Sequence, residues 1–199
     1  MEADGYAITM TSGDPTAAGA THVVLRSGVA ATIRPIRPDD EALIAVFHAG
    51  LSPRSVYQRY FHISTVEQRT TQQRLALTCN VDPSQGAALV AERGTEVGTA
   101  EILALGRIRR AEAPGDAEIA VLVADHVHGQ GLGTAMTQAL IAVAHDLGVR
   151  RLYGDMFADN DAMRAVVRRV GFVIQATPGD ARVLRAERTL VVPPTDASA

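Results

Sequence analysis

Three glycines at alternate positions, Gly129, Gly131 and Gly133, stand between a β-branched run, "AEIAVLVA", and an amphipathic run, "LGTAMTQALIAVAHDLG". Glycine loses more backbone entropy on folding than any other residue, so a cluster at an element boundary marks a tight turn or a close approach to the backbone. A helix entered through glycines presents unpaired N–H groups and the positive end of its dipole, which suits a phosphate. A Walker loop ends in Gly-Lys-Ser/Thr, and this chain contains no lysine. A dinucleotide fingerprint asks for a third glycine three residues after the second, where Thr134 stands. A glycine-rich turn that holds nothing fits the same spacing.

Other chemistry-bearing residues lie close by in the sequence. Glu118 opens the strand that feeds the glycine loop, and its side chain shares a face with Ala120 and Leu122. From its neighbours alone it is a solvated carboxylate after a polar turn. Glu101, within "GTAEILAL", is a second acid among apolar residues. His126 and His128 form a His-x-His beside Asp125, but no third ligand accompanies them, so no metal is expected. Asn160 precedes "DAMRAVVRRV" and reads first as a helix cap. Cys79 is the one cysteine, which excludes a disulfide framework and a thiolate metal cluster; a buried structural role is expected.

The elements that must position these groups follow from periodicity. "HVVLRSGVAATIRPI" predicts a hairpin about Ser27-Gly28. Asp39 and Asp40 can cap a helix through "EALIAVFHAGL", with Leu43, Val46, Phe47 and Leu51 on one face. Ser52 and Pro53 open a second helix, "SPRSVYQRYF", and "TVEQRTTQQRLALT" predicts a third. "AALVAER", "EVGTAEILALGRI" and "AEIAVLVA" read as a meander of strands. In the next helix Leu132, Met136, Leu140, Val143 and Leu147 recur at helical spacing, and Gly148 stops it. "RRLYGDM" is a strand, residues 160–170 a helix, and "FVIQAT" with "RVLRAERTL" a final pair about Pro178-Gly179. The order predicts an α/β protein with a mixed sheet, not a doubly wound one.

Length and composition set the bounds. The 199 residues, 47% hydrophobic and 21% charged, suit one globular domain. The net charge of −3, with all 19 basic residues arginine, gives no electrostatic case for nucleic acid or an anionic membrane. No apolar run approaches the length of a membrane span, and the N-terminus lacks the plan of a signal peptide, so a cytoplasmic place is expected. Residues 1–21 and 191–199, small and polar without period, read as flexible arms around a domain at 22–190.

Over residues 22–190 the chain resembles the GNAT superfamily of N-acetyltransferases. "VHGQGLGT" resembles the family's acyl-CoA pyrophosphate loop, and "NDAMRAVVRRVGF" its following Asn-led helix ending in Gly-Phe. His128 stands where the family prefers Gln or Arg. "IRPIRPDDEALIAVFHAGLSPRSVYQRYFH" and "NVDPSQGAALVAE" look like the Pat-type bacterial protein lysine acetyltransferases. The resemblance implies a GNAT fold, a mostly antiparallel twisted sheet flanked by helices. It implies acetyl-CoA as acyl donor, held by His128, Gly129, Gln130, Gly131, Gly133 and Thr134 at the pyrophosphate. The backbones of Leu122 and Val123 would serve the acyl carbonyl and pantetheine arm, and Asn160 the pantetheine. A lysine amine, with a pKa of about 10.4, must lose a proton before attack. Glu118 is the base the resemblance implies, with Glu101 as substitute. Many relatives carry a tyrosine seven residues after the asparagine, and Val167 stands there. The acceptor implied is a protein lysine; an enzyme acetylating a small amine and a non-catalytic acyl-CoA sensor stay open.

Overall fold

The computed structural model describes residues 20–94 and 100–191. The predicted arms therefore lie outside the described residues, except for Ala20, Thr21 and Val191, of which Thr21 belongs to the first strand. An eight-stranded sheet runs in the order β1-β2-β3-β4-β5-β6-β8-β7. Its strands are β1 (Thr21–Val24), β2 (Ala30–Pro35), β3 (Gly86–Gly94), β4 (Ala100–Arg110), β5 (Asp116–Val123), β6 (Arg151–Phe157), β7 (Val173–Thr177) and β8 (Asp180–Thr189). Every neighbouring pair is antiparallel except β5 and β6. This is the mixed, mostly antiparallel sheet that the sequence predicts.

Helices cover both faces. On one lie α1 (Glu41–Ala49), α2 (Pro53–Tyr60), α3 (Val66–Arg69) and α4 (Gln72–Cys79); α5 (Leu132–Asp146) and α6 (Asp161–Arg169) complete the set. Where one helix was expected over 65–78, two form, because Thr65 and Thr71 each cap a new start through their side chains. Val46, expected inward, is 69% exposed, while Phe47 and Ile44 make the buried stripe of α1. In α5 the expected face holds: Leu132, Met136 and Leu140 are buried, and Gly148, with φ of 68°, ends the run.

The face that α5 covers is fixed by Gly106 on β4. A Cβ there would meet Leu140 Cδ1 at 2.7 Å and Met136 Sδ at 3.0 Å, so the helix rests on strand backbone. Side chains alternate across a strand, so Leu105 and Arg107 face the α1–α4 side. Their register partners Leu122 and Ala120, and the pair Arg109 and Glu118, share that side.

Candidate active site

The parallel ladder between β5 and β6 is short. It pairs Asp116 with Arg151, Ala117 with Leu152 and Glu118 with Tyr153, and no pairing follows. Beyond this vertex the strands part while β5 stays in register with β4 as far as Val123. Gly154 sits at the vertex, where a Cβ would lie 2.7 Å from the Ile119 carbonyl oxygen. That close approach is why the position carries no side chain.

Backbone groups of β5 therefore face an open gap. The Ala124 N–H donates to the Leu103 carbonyl at 2.8 Å, which fixes the alternation along β5. Leu122 turns its N–H and C=O toward β4 and its side chain into the α1–α4 face. Val121 and Val123 turn their backbone groups into the gap, so Val121 stands where Leu122 was expected. The Val123 carbonyl accepts a bond from His128 Nε2 at 2.9 Å. Because a carbonyl can only accept, that nitrogen carries the proton, and the ring is held against the end of β5.

Past the end of β5 the glycine loop turns into α5. Gly129 and Gly131 take φ of 72° and 94°, a conformation that side-chain-bearing residues rarely adopt. No atom lies within 4 Å of a Cβ built on either, so the space beside them is open. A Cβ built on Gly133 would meet Val166 Cγ2 of α6 at 3.5 Å and Val123 Cγ2 of β5 at 3.8 Å, so the helix start is seated between β5 and α6. The first helical bond runs from Ala135 N–H to the Gly131 carbonyl at 3.1 Å. The N–H groups of Leu132, Gly133 and Thr134 are left without an intrahelical partner and point outward from the helix end. An anion there meets these donors and the helix dipole.

The loop is braced by residues that sequence reasoning missed. The Arg26 backbone N–H donates to Gln130 O at 3.2 Å, and its guanidinium to Gly129 O at 3.1 Å. The Ser27 hydroxyl donates to the Gln130 side-chain oxygen. The first hairpin thus holds a loop 103 residues away, and no local pattern in the sequence announces the pairing. Asn160 caps α6 by accepting the Met163 N–H at 3.1 Å.

On the α1–α4 face, α2 spans the splayed strands. Its Tyr57 stacks on Phe157 of β6, ring centroids 4.8 Å apart, and Phe61 packs on the same ring. At its start, Asp125 accepts from Ser52 N–H at 3.0 Å, Ser52 Oγ at 2.6 Å and Ser55 Oγ at 2.8 Å. Partial burial pushes the Asp125 carboxyl up, but the Ser52 and Ser55 bonds outweigh it and hold it below its ordinary range.

The candidate bases separate clearly. Glu118 lies at the vertex, half-buried, and accepts from Arg109 at 2.9 Å across the ladder. Glu101 is eight residues from Arg109 along β4, about 27 Å away at strand rise. It is tied to Arg93 at 2.7 Å and His126 at 3.3 Å, so it does not join the vertex. His126 and His128 thus turn to different partners, and among the described residues no cluster of three metal-ligating side chains occurs. Val167 is buried in the core. Cys79 is 3% exposed, and burial, with Asp40 and Glu41 nearby, pushes its thiol up to about 11. No helix among the described residues is long and apolar enough to cross a membrane.

Comparison with known proteins agrees with this geometry. A family model described as an acetyltransferase (GNAT) domain matches residues 31–173. Acetyltransferase PA5475 of Pseudomonas aeruginosa is 32% identical over 148 residues, 74% of this chain and 77% of that protein. Acetyltransferase Pat of Mycolicibacterium smegmatis is 29% identical over 152 residues, and this match spans 76% of the chain but 44% of that protein. The crystal structure of the GNAT domain of S. lividans PAT superposes with a TM-score of 0.74 at 30% identity, covering 86% of this chain and 97% of that domain. The chain belongs to the GNAT acetyltransferase family and is an N-acetyltransferase.

Proposed function

We propose that this chain moves an acetyl group from acetyl-CoA directly to the side-chain amine of a protein lysine. The observation that carries the acyl-transfer reading is the gap that opens between β5 and β6 at Glu118 and leads to the glycine-capped start of α5. The residues there fit acetyl-CoA. Open space beside Gly129 and Gly131, with the free N–H groups at Leu132–Thr134, suits the pyrophosphate. The backbone groups of Val121 and Val123 suit the pantetheine arm and the acyl carbonyl. Bound acetyl-CoA supplies a thioester carbonyl open to attack by an amine.

The chain's own residues do the rest. The N–H groups on the gap side of β5 are placed to stabilise the carbonyl oxygen as it gains negative charge. Glu118 takes the proton of the attacking amine, directly or through one water, as the new C–N bond forms and the C–S bond breaks. The thiolate leaves and takes a proton from solvent. No enzyme nucleophile is needed, and Cys79, buried with its thiol pushed up, is no candidate for one. The lysine acceptor is supported by the Pat-like segments at residues 33–62 and 80–92 and by the likeness to acetyltransferase Pat.

The test uses purified protein, radiolabelled acetyl-CoA, and separated protein and small-molecule fractions of a bacterial lysate. Label on discrete protein bands, removed by prior blocking of lysine amines, is the expected result. Label confined to small molecules would overturn the lysine acceptor and leave the acyl-transfer chemistry standing.

A further inference from the structure

Between α1–α4 and the β4–β5 surface lies a cavity of about 220 Å³. Its wall is cationic: Arg59, Arg69, Arg74 and Arg107 line it together with His48 and Tyr60. No carboxylate lines it, and among the described residues none of these four arginines has an acidic partner. Arg69 is only 5% exposed and is bonded to two neutral carbonyls, those of Ser64 and His48. Its Nε is buried without a partner. His48, 4% exposed, likewise has a buried Nδ1 with no partner.

A buried cation without a counter-charge is costly, and polar atoms in protein interiors are almost always paired. Arg69 is the buried one; half-buried Arg59 and Arg107 and exposed Arg74 line the same space with no acid among them, which raises that cost. Burial, with Arg59 and Arg109 nearby, pulls the Arg107 guanidinium below its ordinary range. An anion in the cavity would supply the missing counter-charge.

The cavity's position says where that anion comes from. Ala120, in its wall, is two residues along β5 from Glu118 and on the same face. That is a displacement of about 7 Å, the spacing between side chains i and i+2 on an extended peptide. We propose that this cavity takes a carboxylate carried by the acceptor, so that the enzyme prefers a lysine with an acidic side chain two residues away. This deepens the acyl-transfer reading and rests on it. Bidentate guanidinium–carboxylate pairing supplies the specificity.

The experiment compares two short peptides, Ala-Lys-Ala-Glu-Ala and Ala-Lys-Ala-Gln-Ala with blocked ends, as acceptors. The wild-type enzyme is expected to favour the Glu peptide at least about tenfold in kcat/KM, a difference of about 1.4 kcal/mol. In Arg107→Gln that ratio is expected to fall to near one. Equal kcat/KM for the two peptides with wild-type enzyme would overturn the proposal. Calorimetric titration with glutarate, a plain dicarboxylate, reads the cavity without turnover; binding is expected, weakened at least about tenfold in Arg107→Gln. No binding would overturn the site, and binding with equal peptide rates would overturn the acceptor's part in it. If neither peptide is acetylated while glutarate binds the wild type and not the variant, the lysine acceptor fails and the anion site stands. Folding of the variant is checked by its Tm, expected at or above wild type because an unpaired cation leaves a half-buried place.

Discussion

Glu118 and Tyr153 are the last partners of the β5–β6 ladder. Their side chains stand on the same face, and one residue further Gly154 meets Ile119 with no room for a methyl group. The proposed base is therefore not on a loop but on the rigid vertex from which the cofactor gap opens. Its partner Arg109 is 74% exposed, so this ion pair contributes little to stability and can yield to an incoming amine.

The first expectation concerns that carboxylate. Glu118→Gln keeps the size and hydrogen-bonding shape of the side chain but cannot accept the amine's proton. Turnover is expected to fall about a hundredfold or more, the usual range for loss of a positioned base. Acetyl-CoA affinity, measured by calorimetry, should stay near wild type, because the loop and helix start are untouched. Unchanged turnover would remove Glu118 from the reaction and leave solvent as the base.

Gly154→Ala tests the vertex itself. The added methyl group would strike the Ile119 carbonyl oxygen at 2.7 Å, so β5 and β6 must separate where their ladder ends. Overpacking of this kind costs about 1–3 kcal/mol. Urea denaturation should show that loss, and KM for acetyl-CoA should rise because the gap widens at its narrow end. A variant with wild-type stability and KM would mean that the strands part without cost, contrary to the packing.

Several of these relationships were legible in the sequence, and the reasons differ. The glycine loop and α5 were readable because both signals are local: positive-φ turn residues followed by apolar positions at helical spacing. Asn160 was readable as a cap for the same reason. Val46 misled because "EALIAVFHA" is apolar on more than one side, and only the sheet beneath α1 selects Ile44 and Phe47. The break between α3 and α4 was written in the threonines at 65 and 71, but the apolar pattern ran over it. Neither the bracing of Gly129 and Gln130 by Arg26 and Ser27 nor the arginine cavity has a local signature. The cavity wall is drawn from four helices and two strands, and only the packed sheet brings these residues together.

His48 makes stability depend on pH. Burial first, then the positive charges of Arg69 and Arg59, lower its pKa from 6.5 to about 4. Below pH 6.5 the unfolded chain binds a proton at this histidine that the folded chain does not, so stability falls as pH drops from 6.5 toward 4. It is flat above that window. The shift corresponds to about 3 kcal/mol over the whole interval. Unfolding free energies of wild type and His48→Gln, measured from pH 7.5 to 4.5, should diverge by a slope that the variant lacks. Parallel curves would show that His48 is as free to charge in the folded protein as in the unfolded chain.

Asp125 ties the end of β5 to the start of α2, and its removal should be felt in both stability and acceptor use. Asp125→Ala deletes three hydrogen bonds, two of them from hydroxyls that also order the helix cap at Ser52. Bonds to a charged acceptor are worth about 1.5–3 kcal/mol each in isolation. Because the three share one carboxylate and water replaces part of them, a total loss of about 2–4 kcal/mol is expected. The carboxyl is held below its ordinary pKa of 3.8, so the part of its contribution that depends on charge is complete above that value and is lost as pH falls through the lower folded one. The wild-type and Asp125→Ala unfolding free energies should therefore differ fully at pH 6 and by less at strongly acid pH. Since α2 also stacks on Phe157 beside the proposed acceptor site, KM for the acceptor should rise in the variant while acetyl-CoA affinity holds. A stability difference that persists unchanged into acid would mean that the charge of Asp125 does not carry the cap.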